Sequence, residues 1–382
     1  MKRVAILGST GSIGINTLKV IERFPGQFKV VGLTAYNNYR LLEQQIRKFK
    51  PTHVASSREG MQYLKKNCNG RLKIFDVDRE VSRIAALPGV DLVVIGMRGS
   101  AALLPFLAAV QAGKTVAPAN KEALVVAGDI IMREAKKTGA TVIPVDSEQS
   151  AIFQCLQGQK RSELKTIYLT ASGGPLHKVS SASFHSLSVR QILKHPRWKM
   201  GRKITVDSAT LMNKGFEVIE TTRLFDVKPD DIQVLIHPEA IIHSMVEFRD
   251  GSILAQLSIT DMRLPIQYAL SYPERMDTGL KALDFFHLKK LTFDRPELKK
   301  FPALALAFES IRKGGTLPCV LNAADEEAVD AFLEGRIKFT KIYTVVERVV
   351  RKHKLVKVRG LNDIFAADQW AREEAGRIIE QC

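Results

Sequence analysis

From residue 1 to about residue 147, short apolar runs rich in β-branched residues alternate with longer segments whose apolar residues recur at helical spacing. This alternation is typical of βαβ units, in which helices cover both faces of a parallel sheet. We predict strands at residues 4–7, 29–34, 53–56, 73–77, 91–95, 115–117 and 141–145, and helices at 13–24, 41–49, 101–112 and 122–137. The pattern therefore predicts an α/β fold that begins with a Rossmann-type domain.

After residue 147 the pattern changes to fewer, more amphipathic strands, which we predict at residues 164–170, 233–237, 243–248 and 252–257. The dipeptide Asp250-Gly251 indicates a tight hairpin between the last two of them. Val320, Leu321, Ala324, Ala328 and Phe332 have helical spacing and predict a C-terminal helical bundle. The predicted domains are 1–147 (dinucleotide binding), 148–271 (an α/β connecting catalytic domain), a linker at 272–298, and 299–382 (helical).

The composition narrows the class of protein. Hydrophobic residues at 45% and charged residues at 25% exclude wholesale disorder, and a net charge of +17 favours anionic partners such as nucleic acid, a membrane or phosphorylated metabolites. Four cysteines without a C-x-x-C pair favour a reducing compartment and argue against structural zinc. The start of the chain has no pattern of a signal peptide, and the apolar stretch 101–112 is too short to span a bilayer. We expect a bacterial-type cytoplasmic protein that binds no membrane.

A glycine-rich segment, Gly8-Ser9-Thr10-Gly11-Ser12-Ile13-Gly14, follows the first predicted strand and opens the first predicted helix. Glycines there permit a tight turn and let backbone N–H groups approach a pyrophosphate, although a purely structural turn is the alternative. The surrounding βαβ pattern favours dinucleotide binding.

The second predicted strand ends at Thr34 and continues into Ala35-Tyr36-Asn37-Asn38, without the acidic residue that would accept hydrogen bonds from an NAD ribose. NADP is therefore favoured over NAD. Asn37, Asn38 and Arg40 are candidate partners of a 2′-phosphate, and an ordinary polar helix cap is the alternative.

Two carboxylates, Asp146 and Glu148, stand at the end of the last predicted strand of the first domain. Residues two apart in extended backbone point the same way, so the pair would suit Mg²⁺ or Mn²⁺. Carboxylates that cap a helix starting near Gln149 explain the segment equally well.

A second polar segment spans residues 206–217, where we predict that a strand end passes into a helix. Asn213, Lys214 and Glu217 would share one helix face, either as a functional group or as a simple Lys214–Glu217 salt bridge. Ser208 would lie near the helix start, where hydroxyl and amide groups bind phosphate, and the loop 170–174 is a second candidate anion loop. Trp198, among the cations of residues 195–203, belongs either to a mobile active-site lid or to a buried anchor.

These segments together resemble the 1-deoxy-D-xylulose 5-phosphate reductoisomerase family. The motifs that carry the resemblance are GSTGSIG at 8–14, ANKE at 119–122, PVDSE at 144–148, SGGP at 172–175, HPRWKMGRK at 195–203 and VDSATLMNKGFEVIE at 206–220. LIHPEAIIHSMVEFRDGSILAQL at 235–257 and LNAADEEAVDAFL at 321–333 extend it over essentially the whole chain. The family usually has Gly at the position of Tyr36 and a different sequence at 96–103, so this chain departs from it near the expected cofactor.

The resemblance implies a homodimer, an N-terminal NADPH domain, a connecting domain that forms the dimer interface, and one divalent cation. The implied NADPH residues are Thr10, Gly11, Ser12, Ile13, Asn37, Asn38, Asn120, Glu122 and Gly201, to which we add Tyr36 as a candidate for stacking on adenine. The implied metal ligands are Asp146, Glu148 and Glu217, and the implied substrate residues are Lys121, Ser147, Glu148, Ser172, His195, Trp198, Met200, Ser208, Asn213, Lys214 and Glu217. We assign catalytic roles to Lys121, Glu148 and Lys214.

The activity implied by the resemblance is rearrangement of a ketose phosphate followed by reduction with NADPH, which gives 2-C-methyl-D-erythritol 4-phosphate. A cation chelated by substrate oxygens would polarise the carbonyl group, and a bound phosphate would serve as a remote handle. An oxidoreductase acting on an amino-acid-derived aldehyde is the enzymatic alternative, but it leaves the three carboxylates and the phosphate loops unexplained. Only the net charge suggests a nucleic-acid-binding protein. The basic residues that produce this charge are dispersed along the chain and form no recognisable nucleic-acid-binding module.

Overall fold

The computed structural model describes residues 1–68, 70–194 and 201–382. Its strands are β1 (Lys2–Leu7), β2 (Phe28–Thr34), β3 (His53–Ser56), β4 (Lys73–Asp76), β5 (Leu92–Ile95), β6 (Thr115–Pro118), β7 (Leu164–Ala171), β8 (Ile232–Ile236), β9 (Ile242–Phe248) and β10 (Ile253–Leu257). Its helices are α1 (Ser12–Arg23), α2 (Tyr39–Phe49), α3 (Arg58–Asn67), α4 (Val77–Ala85), α5 (Leu103–Gln111), α6 (Glu122–Thr138), α7 (Ser147–Cys155), α8 (Val189–Ile192), α9 (Arg202–Thr210), α10 (Met212–Phe225), α11 (Arg263–Ser271), α12 (Pro302–Lys313), α13 (Leu317–Leu333), α14 (Phe339–Lys352) and α15 (Leu361–Ile379). The predicted α/β fold class, with its N-terminal parallel sheet and C-terminal helical region, is confirmed.

The first six strands form a parallel sheet in the order β4-β3-β2-β1-β5-β6. Val4 to Leu7 of β1 are fully buried, as expected for a central strand covered on both faces. Successive strands are added to one side of β1 as far as β4, and then to its other side from β5 onward. At this switch point between β1 and β5, the loops at the carboxyl ends of the strands diverge and leave a crevice for a ligand. The glycine-rich segment follows β1 directly and therefore lies at this switch point.

The prediction of a strand at residues 141–145 was wrong. This segment joins the sheet only through an isolated bridge between Val116 and Val142, with hydrogen bonds from Ile143 N–H to Val116 O and from Val145 N–H to Pro118 O. The helices α3 and α4 were not predicted. Their apolar residues do recur at helical spacing, but the two helices are short, with 10 and 9 residues, and most of their residues are polar or small.

A four-stranded mixed sheet in the order β10-β9-β7-β8 follows in the second half of the chain. The predicted hairpin joins β9 to β10 and turns at Gly251, whose φ of +87° favours glycine. Residues 272–298, which the structure describes completely, contain no helix or strand; Asp294 pairs with Ile236 in an isolated bridge.

The helical region is built around α13, which packs against α14 and α15. Val320, Leu321, Ala324 and Ala328 are fully buried on this helix, which confirms the prediction made from their spacing.

The chain forms two compact units. One comprises Met1–Ala123, Asp129–Ser150 and Asp261–Leu280; the other comprises Leu124–Gly128, Ala151–Thr260 and Lys281–Cys382. The finer division at residues 147, 271 and 298 stays a prediction. Within the described ranges, no helix has the length and apolar character needed to cross a membrane.

Candidate active site

The glycine-rich loop of the first unit has the geometry of an anion cradle. Gly8 has a φ of +84°, and a Cβ built on it would lie 2.7 Å from Gly96 O, so only glycine fits there. A Cβ on Gly14 would lie 2.3 Å from the Cα of Ser9, so the first turn of α1 packs directly against the loop. Because the first backbone N–H groups of a helix have no partner within the helix, the start of α1 at Ser12 presents donors to an anion. The predicted residues Thr10, Gly11, Ser12 and Ile13 all lie here.

The segment after β2 lies beside this loop, because β1 and β2 are neighbouring parallel strands. Tyr36, Asn37 and Arg40 are exposed. Asn38 Oδ1 accepts a hydrogen bond of 3.2 Å from Leu41 N–H and caps α2, which is the alternative reading of this residue. This cap is compatible with binding of a 2′-phosphate by the same segment, which stays a prediction.

Asn120 ties the loop after β5 to the start of α6. Its Nδ2 donates to Met97 O at 2.8 Å and to Gly99 O at 3.3 Å, and its Oδ1 accepts from Ala123 N–H at 3.3 Å. Gly96, at the start of the same loop, lies against the glycine-rich loop. Asn120 and the next predicted cofactor residue, Glu122, are therefore placed on the β6–α6 side of the switch point.

The predicted extended backbone around Asp146 and Glu148 was wrong, because α7 begins at Ser147. Asp146 accepts from Glu148 N–H at 3.3 Å and thus caps the helix, as the alternative reading held. Its Oδ2 also lies 2.7 Å from Lys121 Nζ, in an ion pair whose side chains are only 5% and 11% exposed. Ser147 Oγ donates to Glu148 Oε2 at 2.6 Å. Four residues assigned from the sequence are thus gathered at one point of the first unit.

In the second unit, the segment predicted as a strand end is helix α9, and α10 follows after one left-handed residue, Leu211, with a φ of +60°. The strand prediction was wrong because Ile204, Thr205 and Val206 have high β-propensity, which tertiary context overrides. Ser208 accordingly lies near the end of a helix, and its Oγ donates to Ile204 O at 2.8 Å.

The predicted face of α10 is confirmed. Asn213 Nδ2 donates to Glu217 Oε1 at 2.6 Å, and Lys214 Nζ donates to Glu217 Oε2. Lys214 and Glu217 are 4% and 1% exposed. The bond between Lys214 and Glu217 is the helical salt bridge that the sequence offered as one of two alternatives. The burial of this salt bridge is unusual, because an ion pair has to offset the cost of removing both charges from water.

The two predicted anion loops of this unit meet. A Cβ on Gly174 would lie 2.3 Å from Ser208 O, so the loop after β7 packs against the last turn of α9. Gly173 and Gly174 both have positive φ, and Ser172 Oγ accepts from Gly174 N–H at 3.3 Å. Ser172 and Ser208 therefore lie at the same place in the second unit.

Sequence reasoning missed one buried titratable residue close to this group. His243 on β9 is 5% exposed, and burial, together with the neighbouring charges of Lys214 and His237, lowers its pKa to about 4 against the opposing effect of hydrogen bonds with the backbone of Ser258 and Ile259. The imidazole is therefore neutral at neutral pH. Its only signal in the sequence is a histidine in an apolar strand, which a core residue would also show.

Three of the predicted substrate residues, His195, Trp198 and Met200, lie outside the described residues. Gly201 is described and is the residue that precedes α9.

Comparison with protein-family models finds three matches along the chain. Residues 4–128 match the model described as 1-deoxy-D-xylulose 5-phosphate reductoisomerase, residues 142–225 match the C-terminal domain model of that name, and residues 257–374 match a DXP reductoisomerase C-terminal domain.

Similar proteins carry the same name. The chain is 47% identical over 380 residues to 1-deoxy-D-xylulose 5-phosphate reductoisomerase of Thermodesulfovibrio yellowstonii, covering 99% of this chain and 100% of that one. It is 48% identical to the protein of that name from Thermoanaerobacter pseudethanolicus, with 99% of each chain covered. A solved reductoisomerase in complex with NADPH, fosmidomycin and magnesium is 39% identical and has a TM-score of 0.94, covering 100% of this chain and 98% of that one. The NADPH complex from Zymomonas mobilis is also 39% identical, with a TM-score of 0.93 and full coverage of both chains.

Proposed function

Since this chain belongs to the 1-deoxy-D-xylulose 5-phosphate reductoisomerase family, we propose that the groups described above are the sites at which it performs the reaction of that family. The protein is an NADPH-dependent enzyme that rearranges and reduces 1-deoxy-D-xylulose 5-phosphate to 2-C-methyl-D-erythritol 4-phosphate, for isoprenoid precursors. Its cofactors are NADPH and a divalent cation such as magnesium. The observation that carries the residue assignments is the gathering of motif residues into small, largely buried polar groups.

We assign the divalent cation to Asp146, Glu148 and Glu217. Each of these side chains offers a carboxylate oxygen, and each lies in one of the two segments, 144–148 and 206–220, that resemble motifs of the family. Oxygen ligands without cysteine or histidine suit Mg²⁺ or Mn²⁺. When bound, the cation supplies Lewis-acid polarisation of the substrate carbonyl group.

Two lysines position the proposed metal ligands. Lys121 holds Asp146 through their 2.7 Å ion pair, and Lys214 holds Glu217, so each carboxylate is oriented by a cation of the protein. We propose that the two lysines also lie beside the substrate oxygens, where positive charge stabilises developing negative charge, and that Glu148 takes part in proton transfer.

We place the substrate phosphate at the junction of Ser172 and Ser208. The small residues of that loop let backbone N–H groups approach an anion, and the Ser172 hydroxyl group adds a donor. The Ser208 hydroxyl group adds a second donor when it turns from Ile204 O to the phosphate. We also assign to the substrate Asn213, which is bonded to Glu217, and Ser147, which is bonded to Glu148. His195, Trp198 and Met200 are assigned to the substrate from their motif alone.

The assay that tests the proposal as a whole follows NADPH oxidation with 1-deoxy-D-xylulose 5-phosphate, with and without Mg²⁺ or Mn²⁺. We expect turnover that depends on the cation. No turnover in the presence of either cation would contradict it.

The NADPH site is assigned to the glycine-rich loop, the segment from Tyr36 to Asn38, the residues Asn120 and Glu122, and Gly201. Support comes from the cradle at the switch point and from the absence of a carboxylate in the residues directly after β2. We place the 2′-phosphate against Asn37, Asn38 and Arg40, and the adenine against Tyr36.

Replacement of Arg40 by Ala should narrow the preference for NADPH over NADH. A charged hydrogen bond contributes about 1.5 to 3 kcal/mol, so the loss corresponds to roughly ten- to a hundredfold in the ratio of kcat/KM for the two cofactors. NADH serves as the internal control because it lacks the 2′-phosphate. An unchanged ratio would leave Asn37, Asn38 and the backbone as the partners of the phosphate.

We further propose that the enzyme is a homodimer and that β10 forms the interface with a second copy. β10 lies at the edge of the four-stranded sheet, and its successive residues Ile253 and Leu254 are 50% and 41% exposed. Neither lysine nor proline interrupts this apolar edge, as they do where a sheet edge is protected from pairing. An edge of this kind fits another copy of itself, since a two-fold axis brings the same strand of both subunits together.

Leu254→Lys should convert the dimer to a monomer, because a charge on the edge strand opposes strand pairing. Sedimentation equilibrium measures the change directly. Leu104, which is 50% exposed on α5, offers a matched control, and Leu104→Lys should leave the mass unchanged. A wild-type monomer, or a dimeric Leu254→Lys variant, would contradict the assignment.

A further inference from the structure

The side chain of Gln45 on α2 makes a two-point contact with the glycine-rich loop. Gln45 Nε2 donates to Ser9 O at 2.9 Å, and Ser9 Oγ donates to Gln45 Oε1 at 2.6 Å. Both residues are buried, with exposures of 6% and 0%. In the dry interior the bond to Ser9 O is costly to lose, because no water replaces the buried amide donor. Ser9 Oγ also lies 3.2 Å from Thr34 O, which remains available to it as an acceptor.

The end of β2 holds the same two loop residues from the other side. Gly8 N–H donates to Thr34 Oγ1 at 2.9 Å, and Ser9 N–H donates to Thr34 O at 2.8 Å. Thr34 is 1% exposed. Gly8 and Ser9 are therefore fixed by hydrogen bonds from both β2 and α2.

This contact reaches the anion cradle through Ser9. The first turn of α1 has no room to move relative to Ser9, since a Cβ on Gly14 would come within 2.3 Å of the Cα of Ser9. The N–H groups at the start of α1 must point at the diphosphate within a narrow angle for good hydrogen bonds. The position of Ser9 thus sets the position of the donors of Ser12 and Ile13.

The same side chain connects a second part of the cofactor site. Gln45 lies on α2, whose first turn carries Arg40 and is capped by Asn38. A short, largely rigid helix transmits the position of one turn to the next. The Gln45–Ser9 contact therefore holds the 2′-phosphate end and the diphosphate end of the site at a constant separation.

We propose that Gln45 is a positioning residue for NADPH, which couples the diphosphate loop to the helix that recognises the 2′-phosphate. The proposal rests on the assignment of the NADPH site given above. It predicts that Gln45 governs both the affinity for the cofactor and the preference for NADPH over NADH, although it touches neither phosphate itself.

The test is Gln45→Leu, which keeps the volume of the side chain and removes both hydrogen bonds. We expect the dissociation constant of NADPH, measured by titration of its fluorescence, and KM for NADPH to rise about tenfold, or roughly 1.4 kcal/mol. The rise for NADH should be about threefold, because NADH lacks the contact at α2. The kcat at saturating NADPH and KM for the sugar phosphate should stay within about twofold.

Gln267→Leu is the matched control. Gln267 is a buried glutamine of the same unit, 4% exposed on α11, and its amide donates to Met276 O. Gln267→Leu should lower the free energy of unfolding about as much as Gln45→Leu does, and it should leave the affinities for NADPH and NADH unchanged. An equal rise in the NADPH constant for Gln267→Leu, or a wild-type constant in Gln45→Leu, would show that Gln45 is only structural.

Ser9→Ala provides the milder variant in case Gln45→Leu does not fold. It removes the hydroxyl group and keeps the bond from Gln45 to Ser9 O, so a smaller rise in the NADPH constant is expected. In the double variant the two effects should be non-additive, as for groups in direct contact, and strict additivity would overturn the coupling. Failure of the wild type itself to bind NADPH would instead contradict the proposed function.

Discussion

Glu217→Gln should reduce turnover at least about a thousandfold, which corresponds to about 4 kcal/mol of transition-state stabilisation. Glu217 is 1% exposed on α10, and its two oxygens accept from Asn213 and Lys214. A neutral amide at this position weakens the hold on a divalent cation, and it removes the negative charge with which Lys214 pairs in a buried position. Steady-state assays over a range of Mg²⁺ concentrations, together with NADPH titration, measure both consequences.

The binding of NADPH should be preserved in that variant, because the cofactor is assigned to the glycine-rich loop. Glu220→Gln is the control: Glu220 is equally buried, one turn further along the same helix, and is assigned no part in the chemistry. Near-normal activity of Glu217→Gln, or wild-type activity that survives thorough chelation of divalent cations, would refute the metal assignment.

Lys121→Met should lower kcat by about a hundredfold or more. The substitution removes the cation that lies 2.7 Å from Asp146 Oδ2 in a largely buried ion pair. Breaking a buried pair removes the charge that orients and stabilises Asp146, and it also removes positive charge from beside the proposed substrate oxygens. The free energy of unfolding should fall as well. It is therefore measured by urea unfolding of the same variant, so that a loss of kcat can be distinguished from a loss of folded protein.

Lys165→Met is the control for the loss of a lysine ion pair. Lys165 pairs with Glu247 at 2.6 Å, but its side chain is 57% exposed, and exposed pairs contribute at most about 1 kcal/mol. Its activity should remain within about twofold of the wild type. A Lys121→Met enzyme with an unchanged kcat would exclude Lys121 from the chemistry, whatever its effect on stability.

The order of elements was largely predictable from the sequence because it depends on local patterns. The strands of the first sheet contain short apolar runs rich in β-branched residues, and the glycine spacing at residues 8–14 predicted a tight βα turn that the φ of Gly8 confirms. The shared helix face of Asn213, Lys214 and Glu217 also follows from spacing alone, since residues three and four apart are neighbours on any α-helix.

Local patterns failed where packing decides between two conformations. Residues 204–206 favour a strand by propensity but lie in α9, and Asp146 stands at a helix start rather than in extended backbone. Propensity differences are a fraction of a kcal/mol per residue, so the burial of an entire helix face overrides them.

By itself, the sequence determined the fold class, most of the order of strands and helices, and the residue types available for cofactor and metal. Only the tertiary structure decided which of those residues become buried and which distant ones meet. Gln45 and Ser9 are 36 residues apart, and nothing in their local sequence marks them as partners. Burial and long-range contact depend on the whole sheet being assembled, because water leaves a polar group only when other parts of the chain enclose it.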